Sequence, residues 1–452
     1  MKKIIIALLV LVIIVMGIII NDFIRLDDEV TKNTIDLAEV KKEESEETAI
    51  EEELPLEWKG KYIWDNSNEN NTWMCFRNKI NIGDEKDIKK VVAQIAVDSK
   101  YWLYINDKIV VREGELKRGE TRNSIYYDEV DISKYLKNGE NTIAVLAWYW
   151  GDASLSYNPS GKAAFLFQAK IGDEYIITDD TWKVHKNPAF LQDEVIPNRR
   201  LAEYNVYYDA RKAEDNWYKS DFDDSSWENA TVVGEAEDET WGAMIKRDIP
   251  QFKNKKLKEY ENMSEYKNYE TTVSTEVAEM EIPYNAQFMP YLEVDAPEGK
   301  KITIQTDQYE DINGDSVMCT YITKEGVQKF ESPAWINGEK VFYEIPEGVK
   351  ILKLGYRETG YDSEMTGSFK SDDKFFNKLW KMASRTLYVN MRDTYMDCPN
   401  RERAQWWGDV SIEMLQAMYA MDTKSYDLYE KGVKTTMNWR SRGNLIYCCT
   451  EF

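Results

Sequence analysis

The sequence predicts a multidomain chain in which all-β, jelly-roll-like sandwich domains are followed by an all-helical segment, and three observations predict it. Between residues 55 and 369, short runs of alternating apolar and polar residues are broken by Asn, Gly and Asp, as in half-buried strands joined by tight turns. From Ser371 onward the apolar spacing lengthens to about 3.6 residues, the helical period. Ahead of both lie an apolar N-terminus and an acidic stretch that has little to bury. With 452 residues and 43% hydrophobic content, the chain can fill several cores.

Lys2 and Lys3 precede an apolar run from Ile4 to Ile20, after which Asp22, Asp27, Asp28 and Glu29 appear. Residues 1–21 therefore read as a signal peptide or signal anchor, with the lysines cytoplasmic and the rest of the chain outside the cell. The run is longer than a usual signal core and no small-residue cleavage site follows it, which favours an uncleaved membrane anchor over secretion. Residues 22–54 repeat acids such as Glu43, Glu44, Glu46, Glu47 and Glu51 to Glu53, whose repulsion predicts an extended linker.

Residues 55–245 predict a first β-sandwich. Strands are expected at Ala93–Asp98 and Tyr101–Ile105, with Asn106-Asp107 turning into Lys108–Val111 and Asn138-Gly139 turning into Thr142–Trp150. The last is so apolar that it must be covered on both faces. Two similar corners, Asp179-Asp180-Thr181-Trp182 and Asp223-Asp224-Ser225-Ser226-Trp227, suit turns over a buried indole, with sugar contact as the other reading. Residues 246–369 predict a second, smaller sandwich with strands at Tyr291–Val294 and Lys301–Gln305. Within it, Asp311 to Asp315 is a plain turn, because the twelfth position of a calcium loop would be Ile322.

Residues 370–452 predict helices. Ser371 is the expected cap of a first helix with Phe376, Leu379, Ala383 and Leu387 inward. A second helix starts after Asp409 with Ile412, Leu415 and Tyr419 inward, and a third runs from about Tyr426 to Trp439. Between the first two lies Asp397-Cys-Pro-Asn-Arg-Glu-Arg-Ala-Gln-Trp-Trp-Gly-Asp409, which Pro399 and Gly408 mark as non-helical.

Composition narrows the chemistry. A net charge of -23 at pH 7 repels phosphate backbones and argues against nucleic acid. One histidine, His185, and five cysteines without metal-site spacing leave no metal or cofactor to expect. Proton transfer then falls to carboxylates. The Asp397–Asp409 segment crowds carboxylates, arginines and indoles together, and glycoside hydrolysis needs a carboxylic acid to protonate the leaving oxygen and a second carboxylate beyond it. The other reading of the same residues is structural: Asp409 caps the next helix, while Arg401 or Arg403 pairs with Glu402 in a surface network.

Asp397–Asp409, with Asn390-Met-Arg-Asp-Thr-Tyr-Met396 before it, resembles the signature loop of bacterial alpha-L-rhamnosidases, the family 78 glycoside hydrolases. Asp131–Leu136, Gly139–Val145, Tyr207–Arg211 and Asp223–Trp227 resemble that family's N-terminal sandwich more weakly. The resemblance implies that the loop belongs to an (α/α)6 barrel and that hydrolysis inverts the anomeric centre. It implies Glu402 as general acid, Asp397 and Asp409 as rhamnose-binding acids, Arg401 beside the acid, and Trp406 or Trp407 as an apolar wall. The family's second glutamate lies far downstream, and the residues after Lys370 suffice for about three helices at average lengths. The chain is therefore expected to be a truncated, inactive form of an extracellular glycosidase acting on rhamnose-containing glycans. The alternative is a membrane-tethered carbohydrate-binding or structural surface protein without catalysis.

Overall fold

The computed structural model describes residues 56–445 apart from 85, 117–118, 122, 193–199, 312–313, 316 and 442–443. The chain divides into two compact units, Met1–Glu57 and Trp58–Phe452, and every sheet and helix described belongs to the second. The expected anchor, linker and Cys448-Cys449 pair lie outside the described residues, among which no helix is long and apolar enough to cross a membrane.

The first sandwich stacks two sheets. One has the order Thr231–Glu235, Lys61–Trp64, Ala164–Ile171, Val92–Asp98, Ser124–Asp131, Ala243–Lys246, with Glu174–Ile177 also beside Ala164–Ile171. The other runs Glu228–Asn229, Lys183–Lys186, Thr72–Ile82, Gly139–Tyr149, Lys100–Ile105, Lys108–Glu115. Between them, Trp64, Val97, Phe165 and Phe167 pack with Phe76, Leu103, Ile143 and Val145. Asn106 and Asp107 make the hairpin turn with φ of 48° and 68°, the left-handed pair whose twist matches the flanking strands. Trp182 and Trp227 are buried beneath turns in which Asp179 and Asp223 accept from the backbone N–H two residues on, so both corners are structural.

The second β region is one nine-stranded sheet, ordered Val206–Asp209, Cys319–Ile322, Lys301–Thr306, Ile336–Pro346, Thr275–Ala296, Lys350–Gly360, Lys253–Asn254, with two further strands beside this path. The long strand Thr275–Ala296 joins its halves: the beginning pairs with Ile336–Pro346, and the end lies between Gly326–Glu331 and Lys350–Gly360.

The two β regions are not separable at residue 245. Val206–Asp209 lies inside the first region by sequence but pairs in parallel with Cys319–Ile322 of the second. The strand Gly139–Tyr149 is covered on both faces, as its composition required. Ile143, Val145 and Ala147 face the first core, while Leu146 and Trp148 join Trp73 and Trp102 in a core shared with Met280, Phe288, Ile304 and Tyr343. Alternation hides this, because both sides of the strand are apolar.

Among the described residues three α-helices follow the large sheets: α1 (Lys374–Val389), α2 (Trp407–Ala420) and α3 (Ser425–Asn438). Four expectations are corrected. The cap of α1 is Asp373, which accepts from the Phe375 N–H at 2.8 Å, while Ser371 instead receives and gives hydrogen bonds with Asn377 and Asp373. Gly408 lies within α2, whose cap residue Trp406 contributes no side-chain bond, so Asp409 is a first-turn acid rather than the cap. Phe376, Leu379 and Ala383 are exposed, leaving Leu387 as the inward residue of that set. On α2, Ile412, Leu415 and Tyr419 are exposed while Val410, Glu413, Met414 and Ala417 are buried. The helices turn a different stripe inward because the partner surface, Ile249, Tyr361, Met391 and Tyr395, is supplied by the preceding domains and the interhelical loop.

Candidate active site

The segment between α1 and α2 is shaped by its own backbone. Asn390 closes α1 by donating its N–H to Leu387 at 3.1 Å, and Met396 donates back to the Asn390 carbonyl at 2.8 Å. Asp397 and Ala404 then close a small lobe: the Asp397 N–H donates to the Ala404 carbonyl at 3.0 Å, and the Ala404 N–H donates to Asp397 Oδ1 at 3.0 Å. Within the lobe the Cys398 thiol donates to Asp397 Oδ2 at 3.1 Å and receives the Glu402 N–H at 3.3 Å. The thiol is thereby a structural bridge, and burial pushes it further from ionisation.

The lobe presents Glu402, which is 7% exposed. Its Oε2 accepts the Trp406 indole N–H at 2.6 Å, and its Oε1 lies 3.4 Å from Arg401 Nε and forms an ion pair with Arg200. Arg401 Nη2 is in turn 3.9 Å from Asp397 Oδ2. Burial raises the Asp397 carboxyl above the ordinary value, the Cys398 and Ala404 hydrogen bonds oppose this, and the Glu402 charge adds to it. Asp397, Arg401, Glu402 and Trp406 therefore form one contact chain. Trp407 points elsewhere: its indole N–H donates to Thr436 Oγ1 of α3 at 2.6 Å. Asp409 is exposed at the N-terminal turn of α2, where the helix dipole favours its charge.

Arg403 is not part of a surface network. It is 2% exposed, adopts a left-handed φ of 52°, donates to the Pro399 carbonyl at 2.9 Å and pairs with Glu203. Its guanidinium lies 3.3 Å from the centroid of the Trp335 ring, which also carries Arg392 at 4.5 Å. Glu203 also accepts from Lys100 Nζ at 2.7 Å, and Lys100 reaches Glu113 at 2.8 Å and Glu115 at 3.3 Å. Arg392 pairs with the same Glu113 and Glu115 and donates to Gln287 at 2.8 Å. One buried network thus ties the first sandwich, the second sheet and the signature segment together. Every ion of the network except Arg403 has more than one opposite partner, and Arg403 adds the Pro399 carbonyl and the Trp335 ring to its one carboxylate.

Sequence reading missed Arg200, Glu203, Trp335 and Glu413. The first three are far from the loop in sequence and belong to no motif, so only folding brings them there. Glu413 had a signal, being the one charged residue on the buried stripe of α2. Burial and the charges of Asp409 and Asp397 raise its carboxyl to about 8. Among the described residues, no group of His, Cys, Asp and Glu side chains is arranged to hold a metal.

Two family models match the chain: the bacterial alpha-L-rhamnosidase 6 hairpin glycosidase domain over residues 364–446 and the alpha-L-rhamnosidase N-terminal domain over residues 86–249. An alpha-L-rhamnosidase of Formosa agariphila is 26% identical, matching 79% of this chain and 38% of its own length. One from Alteromonas sp. is 23% identical over 76% of this chain and 38% of its own. The chain therefore spans about 38% of the length of these curated relatives. Among solved structures, a family 78 rhamnosidase of Bacillus sp. GL1 aligns with a TM-score of 0.71 and 16% identity, covering 82% of this chain and 62% of its own. The Streptomyces avermitilis alpha-L-rhamnosidase solved with L-rhamnose aligns at 0.68 and 17% identity, covering 84% and 37%. At these identities the structural matches speak for the fold: β-sandwich domains followed by the start of a helical-barrel domain.

Proposed function

For a chain that belongs to the bacterial alpha-L-rhamnosidase family, we propose that it forms the acid side of a site for terminal alpha-L-rhamnosyl residues. Glu402 is the general acid, its proton passing to the glycosidic oxygen as the bond to the anomeric carbon breaks. Trp406 orients that carboxyl and offers an apolar face to the sugar ring, and Asp397 and Arg401 hold ring hydroxyls. Asp409, at the positive end of α2, is the remaining sugar-binding acid. Inversion also requires a water activated by a second carboxylate across the ring, a role that none of Asp397, Glu402 and Asp409 takes in this reading, so the residues assigned here bind rhamnose without by themselves hydrolysing glycosides. The apolar run at residues 4–20 supports a place outside the cytoplasm, held at the membrane, which protease treatment of whole cells would test.

The observation that carries this reading is the Asp397–Arg401–Glu402–Trp406 contact chain on the segment with the family's motif. Calorimetry with L-rhamnose on the full chain tests it. Binding at least tenfold weaker in Asp397→Asn and Arg401→Met is expected, and equal binding would overturn the assignment. Release of rhamnose from an aryl rhamnoside by the full chain, abolished in Glu402→Gln, would overturn the expected inactivity.

A further inference from the structure

Glu413 and Asn390 face each other across the two ends of the signature segment, and their polar atoms do not balance as a carboxylate and an amide. Asn390 Nδ2 donates to Glu413 Oε1 at 2.8 Å. The other oxygen of each group, Glu413 Oε2 and Asn390 Oδ1, is buried and has no hydrogen-bond partner among the described residues. Both are acceptors, so neither can satisfy the other. A proton on Glu413 Oε2 would turn one into a donor and pair both at once.

We propose that Glu413 carries this proton at neutral pH, closing a cyclic acid–amide pair with Asn390 that pins the segment bearing Asp397, Glu402 and Asp409 at both ends. Asn390 is the C-terminal cap residue that follows α1 and Glu413 lies in the second turn of α2, so the pair bridges the points where the loop leaves and re-enters helix. Glu413 is 9% exposed and Asn390 8%. The charged groups that act on Glu413 are Asp409, one turn earlier on α2, and Asp397 on the loop, and the Tyr395 hydroxyl also feels its charge. The charges of Asp409 and Asp397, together with burial, oppose a further negative charge there. The direction of its acidity agrees with the geometry. The pair is a positioning device, independent of which sugar the site holds.

The pH dependence has a definite sign. In the unfolded chain a glutamate ionises near pH 4.3, whereas in the folded chain Glu413 keeps its proton to about pH 8. Between those values the folded state holds a proton that the unfolded state has released, so stability from this group falls as pH rises and levels off above about 8. Glu413→Gln keeps both hydrogen bonds, its amide donating to Asn390 Oδ1 and accepting from Nδ2, and has no proton to lose. Urea unfolding of the full chain and of this variant, at matched pH from 5.5 to 8, isolates the effect from other titrating groups. The ratio of their unfolding constants is expected to shift about tenfold per pH unit in favour of the variant. Infrared difference spectra at pH 6 provide a reading that needs no unfolding: a carboxylic-acid carbonyl band present in the wild-type chain and missing from Glu413→Gln. Parallel stability curves, or no such band in the wild-type chain, would overturn the proposal.

Discussion

Glu203→Gln is expected to unlock the signature segment from the first sandwich. In the native chain the Glu203 carboxylate is shared between Lys100 Nζ at 2.7 Å and Arg403 Nη1. Lys100 loses little, because Glu113 and Glu115 remain beside it. Arg403 has no other carboxylate in contact among the described residues: it keeps the Pro399 carbonyl at 2.9 Å and the Trp335 ring, which bind it but do not neutralise it. Removing one partner of a buried pair costs about 3–5 kcal/mol, and the glutamine amide oxygen retains part of the hydrogen bonding, so a loss of about 3 kcal/mol is expected. That is a large share of the roughly 5–15 kcal/mol that holds a typical domain. Urea unfolding followed by tryptophan fluorescence would measure it. A double-mutant cycle with Arg403→Met should return a coupling of about 1–3 kcal/mol. A loss below about 1 kcal/mol for Glu203→Gln, with Arg403→Met simply additive, would refute the view that this pair joins the domains.

Three further outcomes are expected from the geometry. Asp373→Ala removes the carboxylate that caps α1 and should cost about 1 kcal/mol in urea unfolding, whereas Ser371→Ala should cost less. Trp406→Phe keeps the apolar face but deletes the indole donor to Glu402 and should weaken L-rhamnose binding several-fold by calorimetry, while Trp407→Phe should act on stability through the lost Thr436 bond. Because burial raises Asp397, it takes up its proton at a higher pH than an ordinary aspartate. Rhamnose affinity should therefore fall on acidification before pH reaches 3.8, and Asp397→Asn should flatten that limb of the titration.

The candidate acid and its neighbours were legible because they are local. Asp397, Arg401, Glu402 and Trp406 sit within one loop, and contacts between residues four apart, such as Asp397 to Arg401 and Glu402 to Trp406, need no distant partner. The hairpin at Asn106-Asp107 was equally legible, since its left-handed φ values call for that pair of residues. The helices were located by their period, but their inward faces were misread. Hydrophobic spacing identifies an apolar stripe without saying which neighbour it meets, and α1 and α2 each carry more apolar surface than the buried stripe uses.

From the sequence alone came the order of β and helical regions, the scarcity of histidine beside many carboxylates, and the loop that holds Glu402. Tertiary structure decided the rest. It carried Val206–Asp209 into the second sheet, brought Arg200 onto Glu402, and set Glu203 against Arg403 across some two hundred residues of chain. The physical reason is range: turn chemistry and helical period act over a few residues, whereas a buried charge takes whichever opposite charge the packed domains bring within reach.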